Sequence, residues 1–394
     1  MIHRGQCGSG LLFEWSTEGN KERRVIKLKK VNVGIIGCGN ISGIYFENLI
    51  NTFANINVYA CADIQEVAVK KASEEWNVSI MTVAEMMACD EIEIIVNLTT
   101  PQSHFELCKL SLESGKHVYV EKPLSLTFEE GLELVKLAEA KGLMLGGAPD
   151  TFLGAGIQTS RKLIDDGFIG EPIGATAFMM CRGHESWHPA PEFYYKKGGG
   201  PMFDMGPYYL TALVNLVGGV SEVSGMTGMS FPTRTITSEP LFGTVVDVEV
   251  PTHVNGLLRF ANGAIGTIIT SFDVSKHSMP FIEIYGTGGS ISVPDPNTFG
   301  GPVLLSTMDG SGYKEVPLTH IYAENSRGLG VADMAQCIID GNLNNRASGY
   351  LTNHVLEIMC AMDSSNALKQ THEMKTTYAP IAPLPGDLVK GFVK

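Results

Sequence analysis

The chain has 394 residues, 44% of them hydrophobic and 18% charged, with a formal net charge of −13. This composition supplies apolar material for two domains of ordinary size and excludes wholesale disorder. The acidic balance argues against nucleic acid or an anionic membrane as the main partner, and no apolar run reaches the roughly 20 residues of a membrane span.

Residues 1–30 mix glycine, polar and basic residues without a clear period and lack the apolar core of a signal peptide. They read as a flexible extension ahead of the first strand, with little function expected there. The eight cysteines are scattered and form no CxxC pair, which predicts reduced, mostly buried thiols in a cytoplasmic protein.

Residues 31–43, VNVGIIGCGNISG, carry the first strong signal. Val31, Val33, Ile35 and Ile36 form a short β-branched run suited to a buried parallel strand. Gly37 and Gly39 follow at once, Asn40 and Ile41 continue the turn, and Ser42 takes the third small position of a G-x-G-x-x-G pattern. Ile41, Ile44, Tyr45 and Leu49 then recur at helical spacing. Strand, tight glycine turn and helix in that order predict a dinucleotide site, with the helix N-terminus facing a pyrophosphate. The next strand, 56–62, ends at Asp63, 24 residues after Gly39. An acidic side chain there accepts hydrogen bonds from the ribose hydroxyls of NAD and repels the 2′-phosphate of NADP. NAD is therefore the expected cofactor, with NADP disfavoured. Asp63 also suits a helix cap for 64–76.

Strands are expected at 31–37, 56–62, 92–98, 117–120 and 143–147, alternating with helices at 41–53, 64–76, 82–88, 102–114 and 127–141. That alternation is a doubly wound parallel sheet over 31–150. Ligands of such sheets sit beyond the carboxyl ends of the strands. The segments NLTTPQSHFEL (97–107) and HVYVEKPLS (117–125) emerge at that edge, placing Lys122 near the nicotinamide end. A cis Lys122–Pro123 peptide would set the lysine's angle of approach. Beside the cofactor's positive ring a lowered ammonium pKa would let Lys122 accept a proton or polarise an oxygen.

After Pro149 the pattern changes. Helices near 156–166, 204–217, 326–340 and 353–369 accompany β-rich stretches at 172–181, 222–229, 244–260, 263–273, 280–285 and 290–293. Asn262-Gly263 marks a hairpin, and the glycines of YGTGGSISV (285–293) mark another rather than a second nucleotide site. The expectation for 151–394 is an α+β domain with a large, mostly antiparallel, open-faced sheet for substrate binding and oligomerisation.

Residues 184–188, HESWH, match the H-E-x-x-H zinc-protease pattern. That pattern needs a helix so that both histidines share a face. Gly183, Pro189 and Pro191 oppose one, so no metal is expected. The segment reads better as a substrate loop, with Trp187 offering an apolar face and Arg182, His184 and His188 offering hydrogen bonds. In YYKKGGGPMFDMGPYYLTAL (194–213) a helix is expected to open near Asp204, which would put Asp204 and Tyr208 one turn apart on one face. A carboxylate that orients and a phenol that exchanges a proton would suit a proton-handling site.

The segments GCGNIS, EKP and GGGPMFDMGPYY together resemble the Gfo/Idh/MocA family over about residues 31–370. The resemblance implies a Rossmann domain plus an open-faced mixed sheet and NAD(P)-dependent oxidoreduction of sugars, glycosides or cyclitols. It also implies a homodimer or homotetramer associated through that sheet. By motif, Lys122 takes the family's active-site lysine and Asp204 its substrate-binding aspartate. Tyr208 stands where many members have histidine, which leaves the base open between Tyr208 and Lys122. Thr100, Pro101, Gln102 and His104 match a turn that lies along the cofactor. The expected cofactor contacts are then Gly37, Gly39, Asn40, Ile41, Asp63, Thr100, Pro101, His104, Glu121 and Lys122. Two other functions fit the same pattern: an NAD-dependent glycosidase with transient oxidation at C3, and a non-catalytic nucleotide-binding sensor.

Overall fold

The computed structural model describes residues 29–394 and the backbone of three short N-terminal strands, β1 (His3–Cys7), β2 (Leu11–Trp15) and β3 (Val25–Lys27). These three strands form an antiparallel meander. The rest of the expected flexible extension lies outside the described residues.

The first domain runs β4 (Val31–Ile36), α1 (Ser42–Asn51), β5 (Ile56–Ala62), α2 (Glu66–Trp76), β6 (Ser79–Ile80), α3 (Val83–Ala88), β7 (Ile94–Asn97), α4 (Pro101–Glu113), β8 (His117–Val120), α5 (Phe128–Lys141) and β9 (Leu145–Gly147). Its sheet has the order β6-β5-β4-β7-β8-β9 and every pair is parallel. Helices cover both faces, so β4 and β7 are apolar almost throughout and almost wholly buried. Local sequence sets the helix starts. Thr82 with Glu85, and Thr127 with Glu130, form reciprocal capping boxes on α3 and α5, each cap contributing about 1 kcal/mol.

The second domain runs α6 (Ala155–Asp165), β10 (Pro172–Met180), α7 (Gly200–Asp204), α8 (Gly206–Val217), β11 (Val220–Gly228), β12 (Thr233–Thr235), β13 (Val245–Asp247), β14 (His253–Phe260), β15 (Ile265–Ser271), β16 (Ile282–Gly286), β17 (Gly289–Val293), β18 (Val303–Thr307), β19 (Lys314–Val316), α9 (Leu329–Asp340), α10 (Gly349–Leu368) and β20 (His372–Glu373). The sheet order is β19-β18-β17-β16-β10-β15-β14-β11-β20, antiparallel at every pair except β10–β15. The two glycine hairpins form at β14–β15 and β16–β17 as the turn residues predict. Burial along β14 alternates strictly. One face of the sheet packs on helices while the other leaves Ile173, Met226, Leu257 and Ile265 exposed.

Three expectations are corrected. The strand read as 244–260 breaks into β13 and β14, because the main chain leaves the large sheet around Pro251 and β13 pairs with β12 instead. Strands β18 and β19 were not expected, since their short runs carry no alternating pattern. The helix expected to run from 204 is two helices. Asp204 ends α7, Met205 intervenes, and α8 opens at Gly206. Asp204 and Tyr208 therefore belong to two successive helices, and both lie beside Lys122 Nζ.

Helix α10 joins the domains, packing on α5 and β9 of the first and on α8 and β11 of the second. His354, wholly buried within it, takes a hydrogen bond at Nε2 from the Val220 amide at 3.0 Å and donates from Nδ1 to the Thr376 hydroxyl at 2.7 Å. Burial pushes its pKa down to about 4. A histidine that is neutral in the fold and protonates more readily in the unfolded chain supports the fold fully above its ordinary value, near 6.5. That support is lost as pH falls from there toward 4. Between pH 7 and pH 5 this one residue should withdraw about 2 kcal/mol. Denaturant melts at the two pH values should show that loss, and His354→Asn should reduce it.

Candidate active site

The carboxyl ends of β4, β5, β7 and β8 converge on one edge. At Gly37 the backbone takes φ 101°, and a Cβ would lie 2.7 Å from the Leu98 carbonyl carbon and oxygen, so glycine is required there. Gly39 faces open space, with nothing within 4 Å of a Cβ position. Helix α1 begins without a side-chain cap and without an acidic residue in its first turn. Among the described residues the Gly39, Asn40 and Ile41 amides have no acceptor. Unsatisfied amides at a helix N-terminus beside open space fit a pyrophosphate. Asp63 closes the turn: Oδ2 accepts from the Cys38 amide and Oδ1 from the Gln65 amide, both at 2.7 Å. The cap of α2 is Gln65, so Asp63 is free of that duty and stays half-exposed beside the glycine loop. The residues present fit NAD.

The turn after β7 is held from behind. His104, expected along the cofactor, is fully buried and lies one layer back. Its Nδ1 sits 2.6 Å from the Pro123 carbonyl and its Nε2 3.0 Å from the Thr99 carbonyl, tying this turn to the lysine segment. Thr100 and Pro101 open α4 at the exposed lip. Glu121 also points inward, with Oε1 accepting from the Tyr45 hydroxyl at 2.8 Å and Oε2 from the Lys122 amide at 3.0 Å. The Lys122–Pro123 peptide is cis, as the sequence suggested.

Lys122 reaches across to the second domain. Its Nζ donates to the Asp204 carbonyl at 2.7 Å and to Asp204 Oδ1 at 2.9 Å. Asp204 Oδ2 lies 3.1 Å from His184 Nε2. All three side chains are at most 17% exposed. Burial acts against the charge on Lys122, but the Asp204 carboxylate outweighs it, so the ammonium pKa is raised. In the protein alone it is this carboxylate from the other domain that sets the direction; the lowered value expected from sequence is one for Lys122 beside the cofactor's positive ring. Burial likewise acts against the Asp204 charge, and Lys122 with His184 overrides it, holding the carboxyl at about 2.

Tyr208 lies with its ring 5.5 Å from Lys122 Nζ. Burial raises its pKa, with Lys122 and Arg327 pulling the other way. Its neighbours are therefore Lys122 and Arg327, and no hydrogen bond joins it to Asp204. The HESWH segment is a turn and not a helix. Its groups point to separate partners: His184 to Asp204, Glu185 to Arg234 at 3.2 Å, and His188 Nδ1 to the Ala190 amide at 3.0 Å. Arg182 and Trp187 are exposed on the same loop.

Sequence reasoning missed Arg327 and Tyr194. Arg327 belongs to a loop that Asn48 of α1 grips through the carbonyls of Asn325 and Arg327 at 2.9 and 2.8 Å. Fully buried Asp150 holds the same loop by accepting from the Gly328 and Gly330 amides at 2.8 and 3.0 Å. The Tyr194 ring meets the His184 ring at a tilt, with centres 4.2 Å apart. Neither residue sits in a recognisable motif, since both reach the site by tertiary packing.

The family model for the NAD-binding Rossmann fold of the oxidoreductase family matches residues 31–147, and the GFO/IDH/MocA C-terminal domain matches residues 157–292. The chain belongs to the Gfo/Idh/MocA family. Residues 31–147 are the NAD-binding Rossmann domain of that family. D-xylose dehydrogenase of Paenarthrobacter nicotinovorans is 29% identical over 44% of this chain and 45% of its own length. Inositol 2-dehydrogenase/D-chiro-inositol 3-dehydrogenase of Lactiplantibacillus plantarum is 28% identical over 41% of this chain and 46% of its own. The chain thus matches about half the length of these curated relatives. Levoglucosan dehydrogenase in complex with NADH aligns with a TM-score of 0.77 at 20% identity, covering 88% of this chain and all of that one. An NAD-binding oxidoreductase from Klebsiella pneumoniae aligns at 0.76 with 18% identity over 87% and 99%. At such identities the structural likeness carries the fold alone.

The Lys122–Asp204 pair makes a direct prediction for this family member. With Asp204→Asn the opposing carboxylate is gone and burial is left to act on Lys122, so the ammonium pKa should fall below the ordinary 10.5. A titration of the reductively ¹³C-methylated lysines by NMR should show one resonance moving down in the variant.

Proposed function

We propose that this protein oxidises a secondary alcohol of a sugar, glycoside or cyclitol with NAD, or carries out the reverse reduction. The observation behind the reading is the Lys122–Asp204–His184 cluster. It joins the end of β8, beside the glycine loop, to the second domain. When bound, NAD supplies a positively charged nicotinamide ring that accepts the hydride at C4. Lys122, cationic and partly buried, donates a hydrogen bond to the carbinol oxygen. With the positively charged ring of the dinucleotide nearby, Lys122 would release one proton to solvent and, as the neutral amine, take the hydroxyl proton as the carbonyl forms. Asp204 accepts hydrogen bonds from substrate hydroxyls, and His184 fixes the carboxylate's angle. Tyr208, supported by Arg327, orients the substrate oxygen. Thr100 and Pro101 at the lip, with Gly37, Gly39, Asn40, Ile41 and Asp63, hold the dinucleotide, while His104 and Glu121 brace the turns that do so.

Net accumulation of NADH with sugars distinguishes this reading from a transient oxidation that ends in glycoside cleavage. The same proposal includes a homo-oligomer closed over the exposed face of the nine-stranded sheet, where Ile173, Met226, Leu257 and Ile265 stand in solvent. It also includes residence in the cytoplasm. No described helix is long and apolar enough to cross a membrane.

Asp63 should make NAD the better cofactor by about tenfold or more, about 1.4 kcal/mol. Asp63→Ala should narrow that gap mainly by weakening NAD. Equal use of NADP by the unaltered protein would overturn the ribose assignment. Lys122→Ala should cut kcat by about 100-fold with NAD affinity nearly unchanged. Tyr208→Phe should mainly raise KM. A large fall in kcat for Tyr208→Phe, with kcat preserved in Lys122→Ala, would reverse the two roles.

A further inference from the structure

Two large aromatic side chains stand in solvent beside the candidate site. Trp187 is 60% exposed and Phe193 50%. They form the outer rim of a connected set of rings. His184 meets Trp187 with ring centres 5.2 Å apart and Tyr194 at 4.2 Å. His188 meets Trp187 at 5.3 Å and Phe193 at 5.4 Å, and Phe193 meets Tyr194 at 4.0 Å. The inner end of this set touches the chemistry, because His184 Nε2 is 3.1 Å from Asp204. The outer end is open.

The ledge is built to stay in place. The turn closes on itself from the His188 amide to the His184 carbonyl at 3.0 Å. The loop between β12 and β13 fastens to it, with the Thr237 and Ser238 amides donating to the Glu185 carbonyl at 2.9 Å and the Ser238 hydroxyl to the His188 carbonyl at 2.5 Å. Arg234 on β12 pairs with Glu185 of the turn and with Asp273 beyond β15. Exposed aromatic area is costly in water, and a braced apolar rim on a polar site is the usual form of a ligand surface. Most of the rim's exposed area is the aromatic faces of Trp187 and Phe193, with the Trp187 indole N–H, His188 and nearby Arg182 as its polar groups, so its complement is a ring with an apolar face and hydroxyls at its edge.

We infer that Trp187, His188 and Phe193 form an outer subsite. It takes a ring attached to the reacting sugar, so the substrates are glycosides whose second ring is an aryl group or the apolar face of another sugar. This rests on the sugar-oxidation reading and adds the substrate's outer half.

The test is calorimetric binding to the NADH-loaded protein, run in parallel with NAD reduction assays. The probes are methyl and phenyl glycosides and the matching disaccharides in the gluco, galacto and xylo series. The expected result is phenyl glycoside or disaccharide binding about tenfold tighter than methyl glycoside in at least one series. Whichever probe gains affinity identifies the second ring. Trp187→Ala and Phe193→Ala should bring that ratio close to one, and Trp187→Phe should restore part of it. Equal binding of all probes, or no binding, overturns the subsite. So does a Trp187→Ala variant that weakens every probe in the same proportion, or one that changes the oligomeric mass by light scattering and leaves the ratio intact. A preserved affinity ratio without NADH formation from any probe would sink the oxidation reading and leave the subsite standing.

Discussion

The interaction on which the site depends is the ion pair between Lys122 and Asp204. One partner comes from the end of a parallel strand in the dinucleotide domain and the other from the end of a five-residue helix in the sheet domain. Neither charge is stable alone at this depth, because burial acts against both. Each domain therefore supplies the counter-charge that the other needs, and the cleft between them is held at a defined width. The same pairing sets the chemistry. It keeps Lys122 protonated at rest, keeps Asp204 ionised, and leaves His184 to fix the carboxylate from the far side.

Around that pair, the structure repeatedly uses buried polar groups as ties between segments distant in sequence. His104 links two backbone carbonyls on neighbouring turns. Asp150, whose pKa burial raises to about 6, gathers the amides ahead of α9. Asn48 holds the same loop from α1. Together they bring Arg327 to Tyr208. Helix α1, which begins at the glycine loop, thus also holds the loop that carries Arg327. Such ties are strong when every member is satisfied; Asp150 and Asn48 each meet two main-chain partners, while His104, kept neutral by burial, can donate to only one of its two carbonyls at a time.

The HESWH turn shows how little a motif means without its backbone. Its two histidines and glutamate would suit zinc on a helix. Here the chain turns at Gly183 and is fastened by the β12–β13 loop, so the same side chains serve a carboxylate, an arginine and a main-chain amide. The aromatic residues of the turn and of the following segment are left facing outward at the mouth of the site.

Much of the dinucleotide domain was legible in the sequence, because its signals are local. A β-branched run followed by Gly37 and Gly39, and an acid at the end of the next strand, each act within a few residues. The hairpins at Gly263 and 286–289 were legible for the same reason. The break at Met205 was not, since nothing in GGGPMFDMGPYY distinguishes one helix from two. The raised pKa of Lys122, the recessed place of His104, and the arrival of Arg327 and Tyr194 at the site were decided by tertiary structure. Lys122 depends on Asp204, 82 residues on, and Arg327 on Asn48, 279 residues back, while His104 and Tyr194 meet partners nearer in sequence; charge, burial and hydrogen bonding of this kind are properties of the packed chain. The sequence by itself determined the cofactor-binding fold and the residues from which a site is built; only folding decided which of them meet and in which protonation state.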